Sequence, residues 1–203
     1  MSIFLVVLMG IYLTYDTSQT TFTSGSRDID LQDSGRKAAE EMARLLRMAG
    51  YDPTGAGRFG FRTVTAHATF APGGFTPIAT NNQILFSMDA DGDGNVDDNT
   101  SERVGFRLSG NQIEKTNTAG TAAIAGIPVL ARNVQSLRFR YFTAADAEIN
   151  PACPPTCTYT LTDAQRQTIR RVTIVLTLQI AATIPGQITR VYTMSTDVRS
   201  RNL

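Results

Sequence analysis

Residues Ile3 to Leu13 read IFLVVLMGIYL, eleven positions without a charge near the start of the chain. Such a run has to be buried against something. It is too short on its own for a transmembrane helix, which needs about 20 apolar residues. It also lacks the basic flank and small-residue cleavage site of a secretory signal. Three burials compete: a core helix, an interfacial anchor, or the second half of a membrane helix whose first half precedes Met1. The residues concerned are Ile3, Phe4, Leu5, Val6, Val7, Leu8, Ile11 and Leu13.

The residues beyond Leu13 favour the third. No proline interrupts the chain before Pro53. Helix propensity drops over Thr20–Ser26, where Gly25 sits among β-branched residues. From Ile29 to Met48 the helical period returns, with Ile29, Ala38, Met42, Leu45, Leu46 and Ala49 expected on one apolar face and charged residues over most of the rest. Glu40 and Arg44 stand four apart, a favourable surface pair. Gly50 and then Pro53 end the helix. A helix over residues 2–48 spans roughly 70 Å at 1.5 Å per residue. A small domain cannot cover that length, so one end projects into a membrane or a polymer. A break near Gly25 would shorten the rod without removing the need to bury its start.

Past residue 50 the period becomes alternating. Gln83–Met88, Arg103–Leu108, Gln112–Lys115, Ser136–Phe142, Arg171–Ile180 and Arg190–Val198 are the strand candidates, with Ser109-Gly110-Asn111 as a hairpin turn. One long helix followed by strands predicts an α+β fold, the helix laid on an antiparallel sheet. The expected organisation is a helix over 1–48 (1–19 for membrane or filament core, 29–48 on the sheet) and a β-sheet domain over 49–203. Residues 50–80 and 143–166 read as long connections.

Asp89–Asp98, DADGDGNVDD, places oxygen ligands at alternating positions of a tight loop: Asp89, Asp91, Asp93, the carbonyl of Asn95, and Asp97. That spacing suits Ca²⁺, which takes six to eight oxygens. The twelfth position is Thr100, so Glu102 closes the set only if the loop bulges. Strand candidates flank the loop, so this is a calcium loop between strands and not a helix–loop–helix. Cys153 and Cys157, in CPPTC, read as a local disulfide in an oxidising compartment. They and the single histidine, His67, are too few for a structural zinc site.

The net charge of +1 does not favour nucleic-acid binding through phosphates. His67 stands alone in TAHAT, and no nucleophile, metalloprotease or phosphate-loop motif is present, so catalysis is not expected. Asp52 reads as a turn or cap residue before Pro53. Arg138 and Arg140, alternating on one strand, read as a solvated face, with a subunit contact as the alternative.

The helix end RLLRMAGYDPTG (Arg44–Gly55) closely resembles the R-x-A-G-Y-D-P signature of PilW-type minor pilins of type IV pili. The opening MSIFLVVLMGIYLTYDTSQ is similar to the middle of such a helix. IPVLARNVQSLRFRYF, RRVTIVLTL and the ending STDVRSRNL resemble both that family and the J-type pseudopilins. The resemblance implies a pilin fold and a structural role in pilus assembly. It implies other pilins and the assembly machinery as partners, the inner membrane before assembly and the extracellular pilus after it. It also implies that Met1 is internal to a longer prepilin. A type II secretion pseudopilin and a calcium-dependent surface adhesin are the alternatives.

Overall fold

The computed structural model describes residues 2–64, 76–96, 102–116, 129–150, 158–180 and 189–203. Helix α1 runs without interruption over Ser2–Arg47, 46 residues and about 69 Å long. The propensity dip at Thr20–Ser26 does not break it. The hydroxyls of Thr14, Thr17, Thr20, Thr21, Thr23 and Ser24 each donate to the carbonyl four residues back, at 2.8–2.9 Å. Those bonds give the hydroxyl donors partners inside the helix itself.

Among the described residues, nine strands and a short helix come after α1: β1 (Ile78–Ala79), β2 (Gln83–Ser87), β3 (Arg103–Ser109), β4 (Gln112–Thr116), β5 (Val129–Arg132), β6 (Val134–Phe142), β7 (Glu148–Ile149), α2 (Asp163–Gln167), β8 (Arg171–Ile180) and β9 (Arg190–Arg199). They form two antiparallel sheets, where one was expected. The first has the order β1-β2-β3-β4-β5 and the second β7-β6-β8-β9. The division falls at Asn133, whose φ of 58° turns the chain between β5 and β6. Asparagine tolerates that left-handed conformation better than most residues. The β3–β4 turn is tighter than expected. Ser109 pairs with Gln112, so Gly110 and Asn111 alone connect the strands, with Gly110 at φ 57°.

Helix α1 packs on β5, β8 and β9. Leu31, Ala38, Met42, Leu45, Leu46 and Ala49 enter the core together with Phe61, Phe86, Phe106, Leu137, Phe139, Ile174 and Leu176. Ile29 does not; it is 68% exposed. It precedes Ala38 by nine residues, two and a half turns, which puts it on the opposite side of the helix. Leu31, seven residues before Ala38, takes the place assigned to it. Gly35 keeps the helix close to the sheet, since a Cβ there would lie 2.3 Å from Leu178 Cδ1. Arg44 pairs with Glu41 through Nε and Nη2, not with Glu40. Residues three apart are as near as residues four apart, and Glu41 offers both oxygens to the guanidinium.

Where α1 leaves the domain, Arg190 of β9 bonds the carboxylate of Asp28. Beyond that point the helix is bare. Ile3, Phe4, Leu5, Val7, Leu8, Ile11 and Leu13 are all exposed; the Val6 side chain lies outside the described residues. Among the described residues no helix is long and apolar enough to cross a membrane.

The two faces of α1 predict opposite mutational effects. Met42→Ala empties a site with no solvent exposure and is expected to cost about 2–5 kcal/mol. Ile29→Ala is expected to change stability by no more than about 0.5 kcal/mol. Urea denaturation followed by circular dichroism checks both.

Candidate metal centre at the helix end

Strands β2 and β3 bring the acidic loop together at their ends. Met88 N–H donates to Glu102 O at 2.9 Å, continuing the ladder one step past Ser87–Arg103. Asp89 and Glu102 therefore face each other across adjacent strand ends, both with no solvent exposure. Asp91 and Asp93 lie on the outer side of the loop, exposed. One carboxylate oxygen from each of Asp89, Asp91, Asp93 and Glu102 falls within 4.8 Å of the others. Glu102, which sequence spacing admits only if the loop bulges, thus stands in the cluster. Asp97 lies outside the described residues, as do Cys153, Cys157 and His67.

The loop is wound around its own aspartates. Asp89 accepts from Gly92 N–H at 2.6 Å and Gly94 N–H at 3.1 Å. Asp91 accepts from Asp93 N–H at 3.2 Å. Asp93 accepts from the amide and the side chain of Asn95, at 2.7 and 2.6 Å. These two bonds from Asn95 hold the Asp93 carboxyl below its ordinary range. Gly92 (φ 81°) and Gly94 (φ 76°) supply the left-handed turns that the winding needs. Arg103 Nη2 donates to Val96 O at 3.0 Å and ties the loop to β3.

The end of α1 forms the other wall, which spacing alone does not reveal. Gly50 (φ 76°) stops the helix, and its N–H donates to Ser87 O at 3.1 Å. Tyr51 O accepts from Asp89 N–H at 2.8 Å. Thr54 sits so close to Gly94 that a Cβ there would lie 2.9 Å from its Oγ1. Asp52 is the turn residue it was expected to be. Its carboxylate accepts from Thr54 Oγ1, Ala56 N–H and Gly57 N–H at 2.9, 3.1 and 2.6 Å. Burial raises the Asp52 carboxyl, but these bonds, led by Gly57, outweigh burial and hold it below its ordinary 3.8. The pattern Y-D-P-T-G, which the sequence marks as a turn after the helix and as part of a family resemblance, is thus the seat of the acidic loop.

On the far sheet, Arg140 is paired with Glu148 by two bonds of 2.8 and 2.5 Å. Neighbouring Arg171 stacks on the Phe142 ring, 3.7 Å from its centroid. Sequence reading also missed α2. Its signal was Thr162-x-x-Gln165, which forms a reciprocal capping box.

A half-bare helix seated on antiparallel sheets defines a pilin-like class of protein. Residues 25–200 match the family described as prepilin peptidase-dependent protein B, and the chain belongs to that family. No curated protein matches it. Among solved structures, a type IV-like pilin from Thermus thermophilus is similar at 14% identity and a TM-score of 0.43, over 85% of this chain and 97% of that one.

The Asp52 turn predicts a pH-dependent contribution. A carboxyl lowered by folding stabilises above its unfolded value and loses that contribution as the pH falls through its folded value. Asp52→Asn is therefore expected to be less stable than wild type near pH 7 and to converge with it in acid, once the pH has fallen below the lowered folded value of the carboxyl. Urea midpoints near pH 7 and in acid test this; an unchanged gap would remove the ionised form from the account.

Proposed function

We propose that this protein is a minor pilin, a structural subunit that takes part in assembling a type IV pilus. The bare apolar helix carries this reading. Exposed residues from Ile3 to Leu13 are stable in water only when covered, and a filament of parallel helices covers them. Membership in a family described as prepilin peptidase-dependent supports the same reading. Before assembly the helix resides in the inner membrane, and the sheets face the periplasm. After assembly the helices form the filament core and the sheets its surface. The role is mechanical, not catalytic.

Deletion of the gene, with electron microscopy of surface filaments and fractionation of sheared pili, tests the reading. The expected result is fewer or no pili, with the protein recovered in the sheared fraction of the complemented strain. Normal piliation with a loss of protein secretion would instead assign the chain to a type II secretion pseudopilus. Normal piliation with lost surface adhesion would assign it to an adhesin.

We further propose that Asp89, Asp91, Asp93 and Glu102 hold Ca²⁺, with Asn95 and Asp97 as additional ligands. Supporting this, four carboxylates gathered this closely repel one another unless a cation intervenes, and two of them have no solvent exposure. The cation would clamp the β2–β3 end to the seat formed by Tyr51–Thr54. With a dissociation constant near 10⁻⁴ M, 1 mM Ca²⁺ is expected to raise the thermal midpoint by about 3–6 °C over the chelated protein. Asp89→Asn is expected to abolish that shift. Identical midpoints with calcium and with chelator would eliminate the calcium reading and leave the filament reading intact.

A further inference from the structure

A cavity of about 370 Å³ lies between α2 and the turn that follows α1. Three described segments form its walls: residues 50–62, 166–170 and 202–203. Three arginines lie on these walls, Arg62, Arg166 and Arg170. Asp52 is the one acid among the lining residues. Its carboxylate is already taken up by Thr54, Ala56 and Gly57.

Each arginine is held, and each keeps donors in reserve. Arg166 is 8% exposed. Its Nη1 donates to Leu161 O at 2.8 Å, and its Nη2 to Thr63 Oγ1 at 3.1 Å and Asp163 Oδ1 at 3.0 Å. Its Nε is buried and has no hydrogen-bond partner among the described residues. A buried donor left without an acceptor is costly, and more so on a charged group. Arg62 Nη1 donates to Gly57 O at 3.0 Å. Arg170 Nη1 donates to Gln167 O at 2.8 Å and Ile169 O at 2.7 Å. Neither of these two arginines meets a carboxylate among the described residues; both spend one nitrogen on peptide carbonyls.

A guanidinium presents its donors as a planar fork, which matches a carboxylate through two parallel bonds. Charge selects among the oxyanions that fit such a fork. The three arginines meet two carboxylates, Asp52 on the wall and Asp163 behind it. One positive charge is left over, which suits a singly charged carboxylate better than a dianionic phosphate. The cavity falls at the small end of the range for ligand pockets, about 300–1,000 Å³. Phe59 and Phe61 add apolar lining for a compact body.

We propose that this cavity binds a small, singly charged carboxylate. Arg62 and Arg170 supply the charge-assisted bonds. Arg166, fixed by Leu161, Thr63 and Asp163, supplies a positive charge already in place. Occupancy ties the 166–170 segment to the turn that ends α1. The site stands apart from the filament reading, since its walls lie in the sheet domain and not on the bare helix.

Equilibrium dialysis of radiolabelled benzoate against the full chain in detergent micelles tests the site, with micelles alone as the blank. Benzamide, the neutral isostere, and inorganic phosphate are the competitors. The expected result is one saturable site per chain, with both competitors at least about tenfold weaker than unlabelled benzoate. Arg62 is exposed and Arg170 half-buried, so both can be changed with the fold checked by circular dichroism. Arg62→Gln and Arg170→Gln are each expected to weaken binding about tenfold. Arg170→Lys keeps the charge, loses the fork and is expected to recover only part of that loss.

No saturable binding, equal competition by benzamide, tighter competition by phosphate, or full binding by both Gln variants would each overturn the proposal. So would binding seen only when two glycines are appended after Leu203, since an α-carboxylate at Leu203 would then be the natural occupant.

Discussion

Everything in this molecule hangs on one stripe of α1. Leu31, Ala38, Met42, Leu45 and Leu46, with Ala49 just past the helix end, form one continuous core with both sheets. Without the helix, β5, β8 and β9 would expose the apolar surface it covers. Gly35 sets the spacing, because any side chain there meets Leu178. Neither sheet is complete without the stripe, and the stripe is too narrow to be buried without both sheets. The same helix also carries the exposed half, so the segment that organises the domain is the one that leaves it.

The domain's far end is tied together at the helix stop. Gly50 donates to Ser87, Tyr51 accepts from Asp89, and Ser200 Oγ donates to Ala49 O at 2.7 Å. Gly60 N–H also donates to Ser87 O, at 2.9 Å. A Cβ at Gly50 or Gly60 would collide with Leu203 Cδ2, at 2.8 and 2.5 Å. The chain's last residues are thus seated on the same spot as the helix end and the edge of the acidic loop. A disturbance of the loop is felt by the helix terminus through two peptide hydrogen bonds. Through that direct link the cation proposed for the loop would stiffen the whole pole.

Much of this was legible in the sequence, and the misses have plain causes. Period-two patterns located β8 and β9 almost to the residue, because alternate side chains along each strand differ in exposure. The same alternation could not show that two sheets, not one, are present. That depends on the turn at Asn133, where a single left-handed residue redirects the chain. Ile29 was misassigned because hydrophobicity was read without checking its angle around the helix. The short strands β1 and β7, two residues each, are too brief to carry a pattern at all. In the acidic loop, alternation identified Asp89, Asp91 and Asp93. The approach of Glu102 comes from strand pairing, and the wall supplied by Tyr51–Thr54 comes from a segment nearly forty residues earlier in the chain.

The row of hydroxyls along the bare half of α1 has one more consequence. Thr14, Thr17, Thr20, Thr21, Thr23 and Ser24 each return their proton donor to the helix's own carbonyls. A polar segment usually belongs to one solvent, since its donors must find partners there. Here the partners travel with the segment. Those hydroxyl donors are not stranded whether the rod is bathed in water or covered by an apolar surface.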